Sequence, residues 1–179
     1  MFKNLIKMKN TFIILSTFIA ICTYSQVAIG KDSVTNTSVS LEFGNENKGL
    51  LLPWVTSENS VAGAVDGTII YDISDKKVKY RRAGNWFDLS VDTTGTVDTS
   101  LQNSKVENNT AKAVIGKNGL NDSTPGILVL SDTDKAMILP KVASPHLNIS
   151  NPASGMLVYD TDARQLAVFN GTVWSFWKP

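Results

Sequence analysis

The sequence predicts an all-β protein: two repeated small β-meander modules joined by a polar linker, after an N-terminal signal peptide. Three observations carry that reading: an ordered internal repeat, side-chain alternation with the period of a strand, and turn chemistry at matching places in both copies. The repeat comes first. Val27-Ala28-Ile29-Gly30-Lys31 recurs as Ala113-Val114-Ile115-Gly116-Lys117, and Lys48-Gly49-Leu50-Leu51-Leu52-Pro53-Trp54-Val55 as Lys135-Ala136-Met137-Ile138-Leu139-Pro140-Lys141-Val142. Gly67-Thr68-Ile69-Ile70-Tyr71-Asp72 then recurs as Gly155-Met156-Leu157-Val158-Tyr159-Asp160, and Trp86 meets Trp174. The offset grows only from 86 to 88 residues across these anchors, so order and spacing are both kept, which chance rarely achieves.

These anchors divide the chain into a signal peptide over 1–25, a first module over 26–89, a linker over 90–112 and a second module over 113–179. Lys3, Lys7 and Lys9 precede the apolar run from Phe12 to Cys22, and Thr23, Tyr24 and Ser25 follow it. That is the layout of a secretory signal. At roughly 11 residues the run is too short for the ~20 a membrane-crossing helix needs, so no transmembrane anchor is expected after cleavage. Acylation of Cys22 is the alternative, against which Ile21 stands where lipoprotein processing takes a small residue. Loss of three lysines and no acids lowers 17 basic residues to 14 against 16 acidic ones, a net charge of −2. That balance excludes a nucleic-acid-binding surface. The single cysteine leaves with the signal, so no disulfide staples the remainder.

Within each copy the first expected strand alternates faces, with Val39, Leu41 and Phe43 against Ser40, Glu42 and Gly44; its counterpart is Ile127 to Leu130. The apolar runs Leu50 to Leu52 and Met137 to Leu139 stop at Pro53 and Pro140, which lack the N–H a ladder needs. Thr56 to Ser60 and Ser144 to Leu147 follow as single helical turns with a side-chain cap. A three-stranded meander closes each copy: 68–72, 78–82 and 86–89, then 156–160, 166–169 and 173–177. Short polar side chains fill the first turn of each, and Ala83-Gly84-Asn85 and Asn170-Gly171-Thr172 supply positive φ in the second. Ser90 to Lys112 is rich in Thr, Asp, Asn and Ser and reads as the linker.

A module of about 65 residues has a marginal core unless something staples or covers it. Here no disulfide or metal cluster is expected. The aromatic residues Trp54, Tyr71, Tyr80, Trp86, Phe87, Tyr159, Phe169, Trp174, Phe176 and Trp177 must therefore find partner surface, on the other module or on another chain. Small sheets with open edges favour the same outcome.

The run Lys48 to Pro53, followed by Gly67 to Asp72 and a closing Gly-x-Trp, resembles a repeat of secreted proteins of the Bacteroidota, similar to segments of phage tail-fibre-like proteins. The second copy carries the likeness further, through Asn151 to Asp162 and Phe169 to Trp174. The resemblance covers nearly all of the chain after residue 25. It implies a fibre-like or surface-exposed structural module without catalysis, placed in the periplasm or on the outer cell surface. The repeat usually has Arg after its proline, where this chain has Trp54 and Lys141.

No catalytic constellation is legible. His146 is the only histidine, and no nucleophile elbow accompanies it. No metal site is expected either, because Asp160-Thr161-Asp162 and Asp132-Thr133-Asp134 do not continue into a calcium loop and read as turns. Gly30 and Gly116 stand alone, without a phosphate-binding pattern, and no cofactor is expected. Asp32-Ser33-Val34, Asp92-Thr93-Thr94 and Asp122-Ser123-Thr124 resemble O-glycosylation sites of Bacteroidota. Trp86 and Trp174 occupy equivalent positions and read as packing residues. Trp54 and Trp177 have no aromatic counterpart and are the candidates for exposed contact. The expectation is a non-enzymatic structural or adhesive cell-surface protein that forms a homo-oligomer or larger surface assembly. A glycan-binding module that stacks sugars on exposed Trp is the alternative.

Overall fold

The computed structural model describes residues 25–106, 108 and 110–178. All of the expected signal peptide but its last residue, Cys22 included, lies outside these. The described residues are almost entirely strand and turn, as the alternation and turn chemistry predict. In the first copy the strands are β1 (Val27–Ile29), β2 (Val39–Phe43), β3 (Leu50–Leu51), β4 (Trp54–Val55), β5 (Ile69–Asp72), β6 (Lys77–Arg82) and β7 (Asn85–Asp88). The second copy repeats them as β8 (Ala113–Ile115), β9 (Leu128–Leu130), β10 (Ala136–Ile138), β11 (Lys141–Val142), β12 (Met156–Asp160), β13 (Gln165–Phe169) and β14 (Trp174–Trp177).

The repeat holds at the level of individual hydrogen bonds. Tyr71 N–H donates to the Pro53 carbonyl at 3.0 Å, and Tyr159 N–H to that of Pro140 at 2.9 Å. Ile73 donates to Val55 as Thr161 does to Val142, and Gly44 to Ile29 as Ser131 does to Ile115. Lys76 and Arg164 take the same left-handed turn position, with φ of 64° and 55°. Each proline ends one strand, and a second begins directly after it. The alternation does not announce that second strand, because two residues are too few to show a period. One-turn helices lie at Glu58–Ser60 and Pro145–Asn148. The second has no side-chain cap: Ser144 is left-handed at φ 42°, and its hydroxyl donates to Asp162 instead.

Each copy has a four-stranded sheet, β4-β5-β6-β7 and β11-β12-β13-β14, in which the first strand runs parallel to the second and the rest form an antiparallel meander. The copies are joined by exchange of strands. β3 leaves its own copy and pairs antiparallel with β12, setting Leu51 opposite Met156 and Leu50 opposite Leu157. In return β10 pairs parallel with β2, setting Met137 opposite Leu41. Pro53 permits this, since the chain turns there from the second sheet to the first at the one residue with no N–H to offer either.

The main core lies between the copies. Leu52, Tyr71 and Val78 of the first pack with Leu157 and Val168 of the second, and Trp54, Ile69, Leu89, Val97, Leu139 and Leu166 surround them. A smaller cluster of Val142, Ile149, Val158 and Ala167, with Met156 and Trp174, belongs to the second copy. The equivalent of Ala167 in the first copy is Lys79, and its ammonium is buried among Glu58 at 2.6 Å, Asp75 at 2.7 Å and Asp72 at 3.1 Å. One position thus holds an apolar core in one copy and an ionic one in the other. The segment after β7 is not free in solvent: Asn170 donates through its amide to Asp92 at 2.7 Å, and Thr172 to the Thr94 carbonyl at 3.1 Å.

Candidate functional site

The most constructed surface in this molecule is the joint between its copies. On one side stand Leu52, Trp54 and Tyr71 from the first copy. On the other stand Ser154, Gly155 and Asn170 from the loops flanking β12 and β13. Leu52 N–H donates to the Gly155 carbonyl at 3.1 Å, continuing the β3–β12 ladder past its last strand residue. The Trp54 indole N–H donates to the Ser154 carbonyl at 2.6 Å, and the Tyr71 hydroxyl to the Asn170 carbonyl at 2.7 Å. Gly155 sits at φ 79°, and a Cβ there would lie 2.8 Å from Tyr71 Cβ. Glycine is required on both counts, for the left-handed backbone and for the close approach. Burial, with the negative charge of Asp75 behind it, pushes the Tyr71 hydroxyl up to about 12. It therefore stays a neutral donor at any physiological pH.

The joint is heterologous: the surface that one copy offers differs from the surface that it meets. Both copies carry both surfaces by sequence, so a donor face (Leu52, Trp54, Tyr71 or Leu139, Lys141, Tyr159) and an acceptor face (Asp66, Gly67, Arg82 or Ser154, Gly155, Asn170) exist twice. Only one pairing is made within the chain.

Two charged sites lie within the first copy. Glu42 lies on β2 beside β10; it accepts from the Lys31 ammonium and from both the hydroxyl and the N–H of Thr35, and these hold its carboxyl down at about 2. Burial works against ionisation of Asp72. Bonds from Ser74, the Glu58 N–H and Lys79 outweigh it and hold the carboxyl below the usual range. Burial likewise opposes the charge on Lys79, but its three carboxylate partners raise its value above that of an ordinary lysine.

Of the residues singled out by sequence, Trp54 is half-buried in the joint, whereas Trp177 on β14 is 50% exposed beside exposed Phe176. The two do not share a sheet. Trp86 lies under the Arg81 guanidinium, 5.6 Å from its ring centre, and Trp174 packs on Phe169 and the smaller core. His146 is exposed and meets Phe176 edge-on at 5.8 Å. Asp160 is buried and accepts from the N–H groups of Ser144 and Asp162, the work of a turn. Among the described residues no group of three His, Cys, Asp or Glu is placed to hold a metal ion, and no helix is long and apolar enough to cross a membrane.

Gly155, Ser154 and Asn170 were not legible as interface residues. The signal that could have found them is the tyrosine shared by both copies, since a buried tyrosine needs an acceptor that its own copy does not supply.

The fold and this joint define a class: a tandem-repeat β protein whose repeats associate by strand addition and a head-to-tail contact. Residues 115–178 match the family model described as the phage tail like trimerisation region. The matched stretch is almost the whole of the second copy, and there the chain is similar to tail-fibre-like proteins, a structural rather than an enzymatic family. No curated protein matches the chain, and no solved structure matches it.

Proposed function

We propose that this chain is a secreted, non-enzymatic structural or adhesive protein that self-associates through its β modules. Three chains form the working assembly, in the periplasm or on the outer cell surface. The observation that carries the reading is the joint itself. A small β unit without a disulfide buries its tyrosine, its glycine and the edge of its central strand only against another unit of the same kind. The match of residues 115–178 to a trimerisation region supports the same use of the surface between chains. The likeness to the secreted Bacteroidota repeat supports export, as does the lysine-led apolar N-terminus.

Light scattering coupled to size exclusion tests the association. A mass of three chains at micromolar concentration is expected, and a stable monomer across that range overturns the reading. Fractionation of producing cells tests the location: recovery from cytoplasm with residues 1–25 intact contradicts export. The exposed Trp177 on β14 favours one second reading, sugar stacking on that edge. A glycan array whose signal survives Trp177→Ala removes its basis.

A further inference from the structure

The two copies repeat in sequence and in hydrogen bonding, yet their surfaces fare differently, and the difference falls along one line. Tyr71 is 0% exposed, and its equivalent Tyr159 is 37% exposed. Leu41 on β2 is 1% exposed, covered by β10, whereas its equivalent Leu128 on β9 is 44% exposed. Gly155 touches Tyr71; its equivalent Gly67, also left-handed at φ 91°, has nothing within 4 Å of where a Cβ would be. Leu52 N–H has the Gly155 carbonyl, while no bond joins the equivalent Leu139 N–H to Gly67. β3 is paired along β12, and Leu51 is exposed on it. Of the second-copy residues in these comparisons, Tyr159 belongs to the donor face and Leu128 to β9. Of the first-copy residues, Gly67 belongs to the acceptor face and Leu51 to β3. Charge agrees: Lys141 stands where Trp54 reaches the Ser154 carbonyl, and the equivalent of Ser154 is Asp66.

We infer that a second copy of this chain docks its acceptor face (Asp66, Gly67, Thr68) on the donor face of the first (Leu139, Lys141, Tyr159), repeating between chains the joint that the two copies make within one. The inference rests on the self-association proposed above and specifies its register. Transferring the contacts of the inner joint, Ile138 of one chain lies opposite Thr68 of the next, as Leu51 lies opposite Met156 within the chain. The Tyr159 hydroxyl donates to the Arg82 carbonyl. Lys141 pairs with Asp66, whose carboxylate is already fixed by the N–H groups of Ala83 and Gly84 at 2.8 and 2.9 Å. Leu50 and Leu51 of the next chain add to β9 beside Leu128 and Val129, as β10 adds to β2. Exposed apolar side chains on both faces are covered together, and each open strand edge gains a partner. A heterologous contact of this kind adds units until the rotation closes a ring, and an assembly of three chains is such a ring.

Cross-linking on the full chain in a Cys22→Ser background tests this. One sample carries Thr68→Cys and the other Ile138→Cys, and a short bis-maleimide bridges thiols whose Cβ atoms lie about 5 Å apart. A covalent dimer that forms only when the two samples are mixed is the expected result. A control chain with both Leu51→Cys and Met156→Cys is expected to link within itself. Lys141→Glu is expected to weaken association by on the order of tenfold or more, and Asp66→Lys added to it to restore most of the loss. Scattering mass and circular dichroism of every variant separate failed folding from failed docking. If the chains still assemble but Thr68 and Ile138 never link, this register is wrong and the proposed function stands. If Leu51 and Met156 link between chains rather than within one, the inner joint is itself exchanged and the inference falls. A monomeric mass for the parent chain overturns both.

Discussion

Alanine at two equivalent glycines separates what the joint costs from what the backbone costs. Gly155 and Gly67 occupy the same place in the two copies, both left-handed, at φ 79° and 91°. Left-handed backbone penalises any Cβ by roughly 1–2 kcal/mol. Gly67→Ala meets only that penalty in a single chain, because nothing lies near its new methyl. Gly155→Ala meets it too, and also sets the methyl 2.8 Å from Tyr71 Cβ and 3.1 Å from Cγ, closer than packed carbons come. Tyr71 is fully buried and its hydroxyl is fixed on Asn170, so it has nowhere to retreat. Overpacking of this kind adds about 1–3 kcal/mol. The expected losses are therefore about 1–2 kcal/mol for Gly67→Ala and about 2–5 kcal/mol for Gly155→Ala. Any gain from stiffening the unfolded chain is common to both and cancels in the difference. Urea titration at a protein concentration low enough to keep single chains reads it, provided the denaturant slopes agree. Equal losses would refute the reasoning, since they would mean that Tyr71 does not stand against Gly155.

Three further outcomes follow from the same joint and its supports. Tyr71→Phe leaves the Asn170 carbonyl buried without its donor and is expected to cost about 1–3 kcal/mol, again by urea titration, whereas Tyr159→Phe in the single chain costs little. Lys79→Ala copies the second copy's residue into a site lined by three carboxylates; it is expected to destabilise by about 3–5 kcal/mol at neutral pH, with the loss shrinking as pH falls through the lowered value at which Asp72 protonates in the parent. A thermal melt that does not move would contradict the ionic core. Glu42 has its carboxyl depressed from 4.5 to about 2 in the fold, so its contribution is complete above about 4.5 and is lost as pH falls toward 2. The stability of the Glu42→Gln variant should therefore vary less than the parent's across that window, and identical pH profiles would count against the Lys31 and Thr35 contacts.

Much of this architecture was legible because it is local. The meanders follow from alternation and from residues that accept left-handed turns. The prolines mark where strands end because a missing N–H cannot be argued away. The ordered offsets of the repeat made two similar units unavoidable. What stayed hidden is relational. Leu50 and Leu51 read as a strand, but nothing in two leucines says that their partner is Met156 and Leu157 rather than a neighbour in their own copy. Trp54 read as an exposed contact residue for want of an aromatic counterpart. Its indole N–H instead reaches across to Ser154, a position that sequence shows only as one small residue before a glycine. The pairing of Lys79 with Glu58, Asp72 and Asp75 was hidden for the same reason, since the charges come from three separate turns and strands.

Docking of like units face to face is reported directly by the two tyrosines. Tyrosine-specific modification of the full chain, read by mass spectrometry at increasing protein concentration, compares Tyr71 with Tyr159. Tyr71 should stay unmodified throughout, while Tyr159 should be modified in dilute solution and become protected as chains associate. A Tyr159 that is equally reactive at every concentration, while scattering shows assembly, would contradict the claim that this face closes the contact.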